Sequence, residues 1–224
     1  MDQKVAQNIA QVPPPTSPPT NVESGGKAGE GCRAVRVPLT ALAPLGKSTT
    51  GSTVVWGLTD AEYPTLWFHI PYQLTANQPG EFQLQDEQGK QIYAKPVTVV
   101  DVSTGVVGLQ LSKSLQVNKN YLWTFTVRCD REDPSKDLFV RGWIQRTKLS
   151  ANLAAQLKKA KPRDRAKLYI KENIQFEALT VLGDLRRSNP SDAEIAADWR
   201  ALLTSLGFEQ VAAKPVVEIR PLKE

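Results

Sequence analysis

The stretch NKNYLWTFTVRC, residues 118–129, constrains the fold most strongly, because large apolar and smaller polar side chains alternate along it. One face of an extended chain would carry Tyr121, Trp123, Phe125, Val127 and Cys129. A period of two, built from aromatic and β-branched residues, predicts a strand with one buried face. The cysteine at its end therefore lies at the edge of a core.

Seven further segments between residues 35 and 149 read as short strands separated by turn residues, without an intervening helical pattern. Asp86–Gly89, DEQG, predicts a hairpin turn between two of them. The eight segments are 35–42, 53–59, 65–72, 81–86, 91–100, 105–111, 120–129 and 138–149. Eight strands at this spacing predict an antiparallel sandwich.

The stretch around Tyr121 resembles the sixth strand of immunoglobulin-like sandwiches, in which a tyrosine near the strand start holds the preceding corner by a hydrogen bond. Cys32 departs from the antibody pattern, because it precedes the first strand instead of lying on the second. The resemblance is therefore to the architecture of an immunoglobulin-like β-sandwich and not to its disulfide bond.

After Lys148 the period changes, and the sequence predicts four helices within residues 150–208. Ser150 is the predicted N-cap of the first helix. The last helix has a predicted capping box, Ser191 with Glu194, and ends at Gly207.

Three residues of the second and third helices, with the proline that follows, have the spacing of a tetratricopeptide repeat. They are Ala166, Tyr169, Ala178 and Pro190. Only part of that motif is present, since its usual tryptophan and Leu-Gly positions hold other residues. The hypothesis of a tetratricopeptide-like hairpin stands beside that of an ordinary antiparallel helix pair.

The sequence thus predicts an α+β chain in four parts. Residues 1–31, rich in Pro and Gly and without aromatic residues, are predicted to be a disordered tail. Residues 32–149 form the β-sandwich, and residues 150–208 form a helical unit packed on it. Residues 209–224 are a predicted C-terminal tail, with a candidate strand at 216–219.

Charge and hydropathy limit the partners. The net charge of +5 is spread along the chain, so no nucleic acid is expected as a partner. The densest basic run, 158–167, has six positive charges and one negative, and is interpreted as a solvated helix end with a binding patch as the alternative. No apolar stretch approaches the roughly 20 residues of a membrane span. The first residues, MDQKVAQNIAQV, also lack the apolar core of a secretory signal.

Catalytic and metal-binding patterns are weak. His69 is the single histidine, and the sequence favours a strand residue there over a general base. Two cysteines 97 residues apart do not have the spacing of zinc ligands, and the four carboxylates of DREDPSKD, residues 130–137, are interpreted as an acidic turn. We expect no enzyme activity, no metal and no cofactor.

One face of the last predicted strand, 138–149, is a candidate contact surface. Tyr169 of the helical hairpin is a further candidate for the same surface. The residues of the strand face are Phe139, Arg141, Trp143 and Gln145. The aromatic and hydrogen-bonding groups of this face suit a protein or a sugar. In the alternative interpretation, the face lies beneath the C-terminal helices, which need an apolar platform.

The two cysteines predict one structural disulfide bond, Cys32–Cys129, which would contribute on the order of 4 kcal/mol. Such a bond indicates an oxidising compartment, periplasmic or secreted. Two free thiols are the alternative, and they would place the protein in the cytoplasm.

Several motifs together resemble a cyanobacterial family called domain of unknown function 928, over about residues 32–208. They are YPTLWFHIPY, FQLQDEQGKQIY, NYLWTFTVRCD, VRGWIQR, LYIKENIQFEALTVLGDLRRSNPSD and WRALLTSLG. The resemblance implies export, since members of that family carry a signal peptide and a cysteine ahead of the sandwich. It implies no established activity.

We therefore expect a non-enzymatic extracytoplasmic module that binds or scaffolds proteins. The first alternative is a carbohydrate-binding sandwich using Trp143, Phe139 and Trp67. The second is a hydrolytic enzyme using His69.

Overall fold

The computed structural model describes residues 23–24, 32, 35–47, 53–97 and 104–221. Most of the predicted N-terminal tail, 1–22 and 25–31, lies outside the described residues. Within them the strands are β1 (Glu23–Ser24), β2 (Thr40–Ala41), β3 (Leu45–Lys47), β4 (Thr53–Thr59), β5 (Thr65–Ile70), β6 (Gly80–Asp86), β7 (Gln91–Val97), β8 (Gly105–Gln110), β9 (Asn120–Val127), β10 (Leu138–Arg146) and β11 (Val216–Pro221). The helices are α1 (Ala151–Lys159), α2 (Pro162–Lys171), α3 (Gln175–Ser188) and α4 (Ala193–Ser205).

The strands form two sheets, and with the four helices they confirm the mixed α+β composition. The larger sheet has the order β3-β4-β10-β9-β6-β7, with β1 also paired to β10. The smaller sheet has the order β11-β8-β5-β2. The expectation of wholly antiparallel pairing is wrong at two places, because β10 runs parallel to β4 and β11 runs parallel to β8. Side-chain alternation is the same in both directions, so it does not encode this difference.

The first core lies between the two sheets, and the opening strand β9 supplies much of it. Phe68 of the smaller sheet packs against Trp123 and Phe125 of the larger one, with ring centroids 5.7 and 4.9 Å apart. At the start of β9, the Gln116 backbone N–H donates to the Tyr121 hydroxyl at 3.1 Å. The predicted buried face of this strand is thus confirmed.

The second core lies between the helices and the outer face of the smaller sheet. Trp67 of β5 reaches into the helical layer, where its ring packs closely on Gly183 of α3 and edge-on to Trp199 of α4, with centroids 6.2 Å apart. Its indole N–H donates to Thr180 Oγ1 at 3.1 Å. The helices therefore use the smaller sheet as their platform, and the interpretation that they cover the face of Trp143 is wrong.

Local sequence patterns predicted the positions of most strands and helices. One exception has a clear cause. The predicted strand 35–42 is reduced to Thr40–Ala41, in a segment where Pro38 lacks a backbone N–H for pairing. The predicted C-terminal tail contains β11, which includes the candidate strand at 216–219 and extends the smaller sheet. Ser150 is the N-cap of α1 as predicted, whereas α4 is capped by Asp192 and not by Ser191.

Candidate functional site

The predicted contact surface on β10 is largely covered. Trp143 and Gln145 are 5% and 2% exposed. Trp143 belongs to an apolar cluster on the outer face of the larger sheet, together with Val54, Trp56 and Leu58 of β4. Phe139 and Arg141 are half-buried, and the Arg141 guanidinium lies 5.9 Å from the centroid of the Phe139 ring. The Trp143 ring, on which a sugar would stack, is thus inaccessible in this structure.

Tyr169 lies elsewhere, on α2, where it is buried at the seam between the helical unit and the sandwich. Its hydroxyl interacts with Asp60, at the end of β4. The structure therefore does not join Tyr169 and Trp143 into one surface.

The two cysteines form the predicted disulfide bond, with their Cα atoms 4.8 Å apart. The Cys129 backbone N–H also donates to the Asp137 carboxylate at 3.2 Å. Arg128 links that carboxylate to Glu81 on the neighbouring strand β6. The end of β9 is thus fixed both covalently and by an ion-pair network.

His69 is a buried strand residue. Its Nδ1 lies 3.1 Å from the Pro38 carbonyl oxygen, and burial lowers its pKa. The charged group that acts on this pKa is Lys214, a cation and not a carboxylate. The contact with Pro38 links His69 to the segment before β2.

A cluster of acidic groups at the seam was not found from the sequence. We call it the seam cluster and define it as Thr59, Asp60, Tyr169 and Glu177. Glu177, in the first turn of α3, is 8% exposed and accepts a hydrogen bond from the Thr59 hydroxyl at 2.6 Å. Glu177 Oε2 and Asp60 Oδ1 are both buried and have no hydrogen-bond partner among the described residues. The sequence offered one weak signal, a glutamate beside the apolar stripe of Phe176 and Leu179.

Burial governs the protonation of this cluster. It raises the pKa of Glu177 to about 8, opposed by hydrogen bonds from Thr59 and the Asp60 backbone and reinforced by the Asp60 charge. Burial also raises the pKa of Asp60, although its own backbone, Tyr169, Arg146 and Arg165 oppose the change. Near neutral pH the Glu177 carboxyl is therefore favoured in its neutral form.

Glu177→Gln is expected to flatten the pH dependence of stability. An unfolded glutamate releases its proton near pH 4.5, whereas folded Glu177 keeps it to about pH 8. The folded state thus binds more protons between these values, and the free energy of unfolding falls with rising pH by up to about 1.4 kcal/mol per pH unit. Urea unfolding across this range measures the slope, which the variant should reduce.

The control for this prediction is Glu132→Gln, because Glu132 is exposed on a loop. This variant should keep the slope of the parent protein. If the free energy of unfolding had the same pH slope in Glu177→Gln as in the parent protein, Glu177 would be ionised in the folded state at neutral pH.

The outer side of α4 carries a groove of about 750 Å³. The described residues that line it all belong to this helix, and most are small: Ala193, Ala196, Ala197, Arg200, Ala201, Thr204 and Ser205. The opposite face of α4, with Trp199 and Leu203, is buried in the second core. Ala193, Ala197, Ala201 and Ser205 recur every four positions and form one row along the helix, beside a second row of Ala196, Arg200 and Thr204.

Two classes of site are not found in the part of the chain that the structure describes. That part has no cluster of three or more His, Cys, Asp or Glu side chains placed to bind a metal ion. None of its helices combines the length and the hydropathy that a membrane span requires.

Comparison with known protein families gives a match over most of the chain. The family model described as Domain of Unknown Function (DUF928) matches residues 23–216, which include strands β1 to β10 and all four helices and end at the first residue of β11. No curated protein matches the chain.

Proposed function

The chain belongs to the Domain of Unknown Function (DUF928) family, and from this premise we propose that it is a non-enzymatic binding module that receives a helical segment of a partner protein on α4. The observation that carries the proposal is the groove along the exposed row of small residues. Small side chains let a second helix approach closely, so that backbone and side chains of both helices are in contact. Alanine also leaves apolar surface exposed at the centre of the row, where a partner would exclude water.

The arrangement of the helices supports this role. Ala166, Tyr169 and Ala178 are all buried, as expected for the small residues and the tyrosine of a tetratricopeptide-like hairpin. In such repeat proteins each helical pair packs on the next, and a terminal helix needs a polar outer face to remain soluble. The row on α4 is instead rich in alanine, which favours its use as a surface that continues the stack with a helix from another protein.

The sandwich is proposed to be immunoglobulin-like. The bond from Gln116 N–H to the Tyr121 hydroxyl has the form of a tyrosine corner. The sandwich provides the platform that holds α4 in place through Trp67 and Trp199.

Export is also part of the proposal, to the periplasm or the exterior of a cyanobacterium. The disulfide bond between Cys32 and Cys129 supports it, because such bonds persist mainly in oxidising compartments. Carbohydrate binding has no supporting observation here, since Trp143 and Trp67 are both buried.

A photo-crosslinking amino acid at position 197 tests the proposal. Ala197 is exposed in the middle of the row on α4, so a benzophenone side chain there should capture the bound helix. The expected result is a crosslinked peptide with the 3.6-residue apolar period of an amphipathic helix, identified by mass spectrometry of an extracytoplasmic fraction. The same protein carrying Ala201→Arg should lose that crosslink.

The matched control places the same side chain at Ala155, an exposed alanine in the middle of α1. Position 155 should not yield the peptide captured by position 197. Equal capture at both positions, or a crosslink that survives Ala201→Arg, would contradict a specific site on α4.

A further inference from the structure

The segment that leads into α1 and continues through α2 has an unusual charge. Residues 148–171 contain eight Lys and Arg residues and one acidic residue, Asp164. The rest of the chain has 20 basic and 22 acidic residues. The expectation that the net charge is spread along the chain is therefore wrong at this scale, because this segment alone makes the protein basic.

Seven of the eight basic residues are exposed, and we call them the α1–α2 basic surface: Lys148, Lys158, Lys159, Lys161, Arg165, Lys167 and Lys171. The eighth, Arg163, is used within the helical unit, where it pairs with Glu194 and Asp198 of α4. These ion pairs give Arg163 a role inside the protein, so it is not counted in the basic surface.

The remaining charges have few partners inside the protein. Lys167 lies 3.5 Å from Asp164, while the other six form no ion pair with another described residue. Lys158, Lys159 and Lys171 are in the last turns of their helices, where cations are favourable for the helix dipole. That effect does not account for Lys161, at the opposite end of α2, whereas the charge of Arg165 acts on Asp60 of the seam cluster.

We propose that the α1–α2 basic surface binds the surface of an anionic lipid bilayer. Clusters of four to eight basic residues are attracted to anionic headgroups, and each residue near the surface strengthens binding about fivefold. Six of the seven residues are lysines, whose compact charges suit a diffuse layer of headgroups better than bidentate contacts. Ile170 of α2, 42% exposed, adds an apolar side chain that can enter the interface.

The composition of this surface favours a bilayer over a nucleic acid. Proteins that bind single-stranded nucleic acid combine positive charge with exposed aromatic rings. The only aromatic residue of the segment, Tyr169, is buried at the seam. The α1–α2 basic surface shares no residue with the groove on α4, so either proposal can be wrong without affecting the other.

The test is co-sedimentation of the full chain with lipid vesicles. Vesicles of phosphatidylcholine with about 30% phosphatidylglycerol should bind the protein, and pure phosphatidylcholine vesicles should not. Raising the salt from about 0.05 M to about 0.5 M should release it, because exposed charges are screened. The variant K158Q/K159Q should bind the anionic vesicles about thirtyfold more weakly.

The matched control is K90Q/K119Q, which lowers the net charge equally at two exposed lysines of the sandwich. It should bind within about threefold of the parent protein, since those lysines lie outside the basic surface. Circular dichroism verifies that both variants are folded. Equal loss in both variants, equal binding to neutral vesicles, or tighter binding to single-stranded RNA at the same salt would each overturn the proposal.

Discussion

Replacing Cys32 and Cys129 together with alanine is expected to lower the free energy of unfolding by about 4 kcal/mol. The bond joins residues that are 97 positions apart, and it links the start of the described sandwich to the end of β9. A loop of this length restricts the unfolded chain strongly, so that breaking it stabilises the unfolded state. Urea unfolding followed by tryptophan fluorescence measures the difference.

The parent protein treated with a reductant is the control, because it lacks the bond but keeps both sulfur atoms. It should unfold near the midpoint of the double alanine variant. If the untreated parent protein and the double alanine variant unfolded at the same urea concentration, the bond would not stabilise the sandwich. Mass spectrometry of these cysteines in protein from the native cell would test the export proposal separately, since free thiols there would contradict it.

Local patterns were sufficient for most strands and helices. The alternation around Trp123 and Phe125 predicted the inner face of β9, and Ser150 marked the start of α1. In each case the signal comes from neighbouring residues in the chain, as it does for side-chain alternation and helix capping. The pairing of Cys32 with Cys129 was predictable for a different reason, since a chain with two cysteines offers a single intramolecular pair.

The seam cluster was not predictable, because its members come from distant parts of the chain. Thr59 and Glu177 are 118 residues apart, and each is unremarkable among its neighbours. A glutamate on a helix is usually exposed, and only the packing of α3 on the sandwich buries this one. The parallel pairing of β4 with β10 was missed for the same reason, since strand direction follows from the path of the chain between them.

The choice of platform for the helices was also hidden in the sequence. Trp67 and Trp143 each lie on a strand whose side chains alternate between two faces. Either pattern allows a helix to pack on the face that carries the tryptophan. The difference lies in the partner, because Gly183 leaves space on α3 for the Trp67 ring. A Cβ atom at position 183 would lie 2.6 Å from that ring. The large side chain of Trp67 and the missing side chain of Gly183 are therefore complementary where the helices meet the smaller sheet.

Trp67→Ala is expected to destabilise the protein by about 3 to 5 kcal/mol, since it removes a fully buried ring from the second core. Trp67 is 1% exposed and contacts both Gly183 and Trp199. The loss of the ring also leaves Thr180 without the hydrogen bond from the indole N–H. Because the cavity lies between sheet and helices, the protection of amides from hydrogen exchange should fall more in α3 and α4 than in β6 and β9.

Trp143→Ala is the matched control, because Trp143 is similarly buried but lies on the outer face of the larger sheet. It should destabilise the protein without a selective loss of amide protection in α3 and α4. The contrast between the two variants separates a weakened seam from general destabilisation, which would lower protection in both layers alike. If Trp67→Ala gave the same exchange pattern as Trp143→Ala, the helical unit and the sandwich would unfold as one cooperative unit, and Trp67 would not act as a local anchor of the helices.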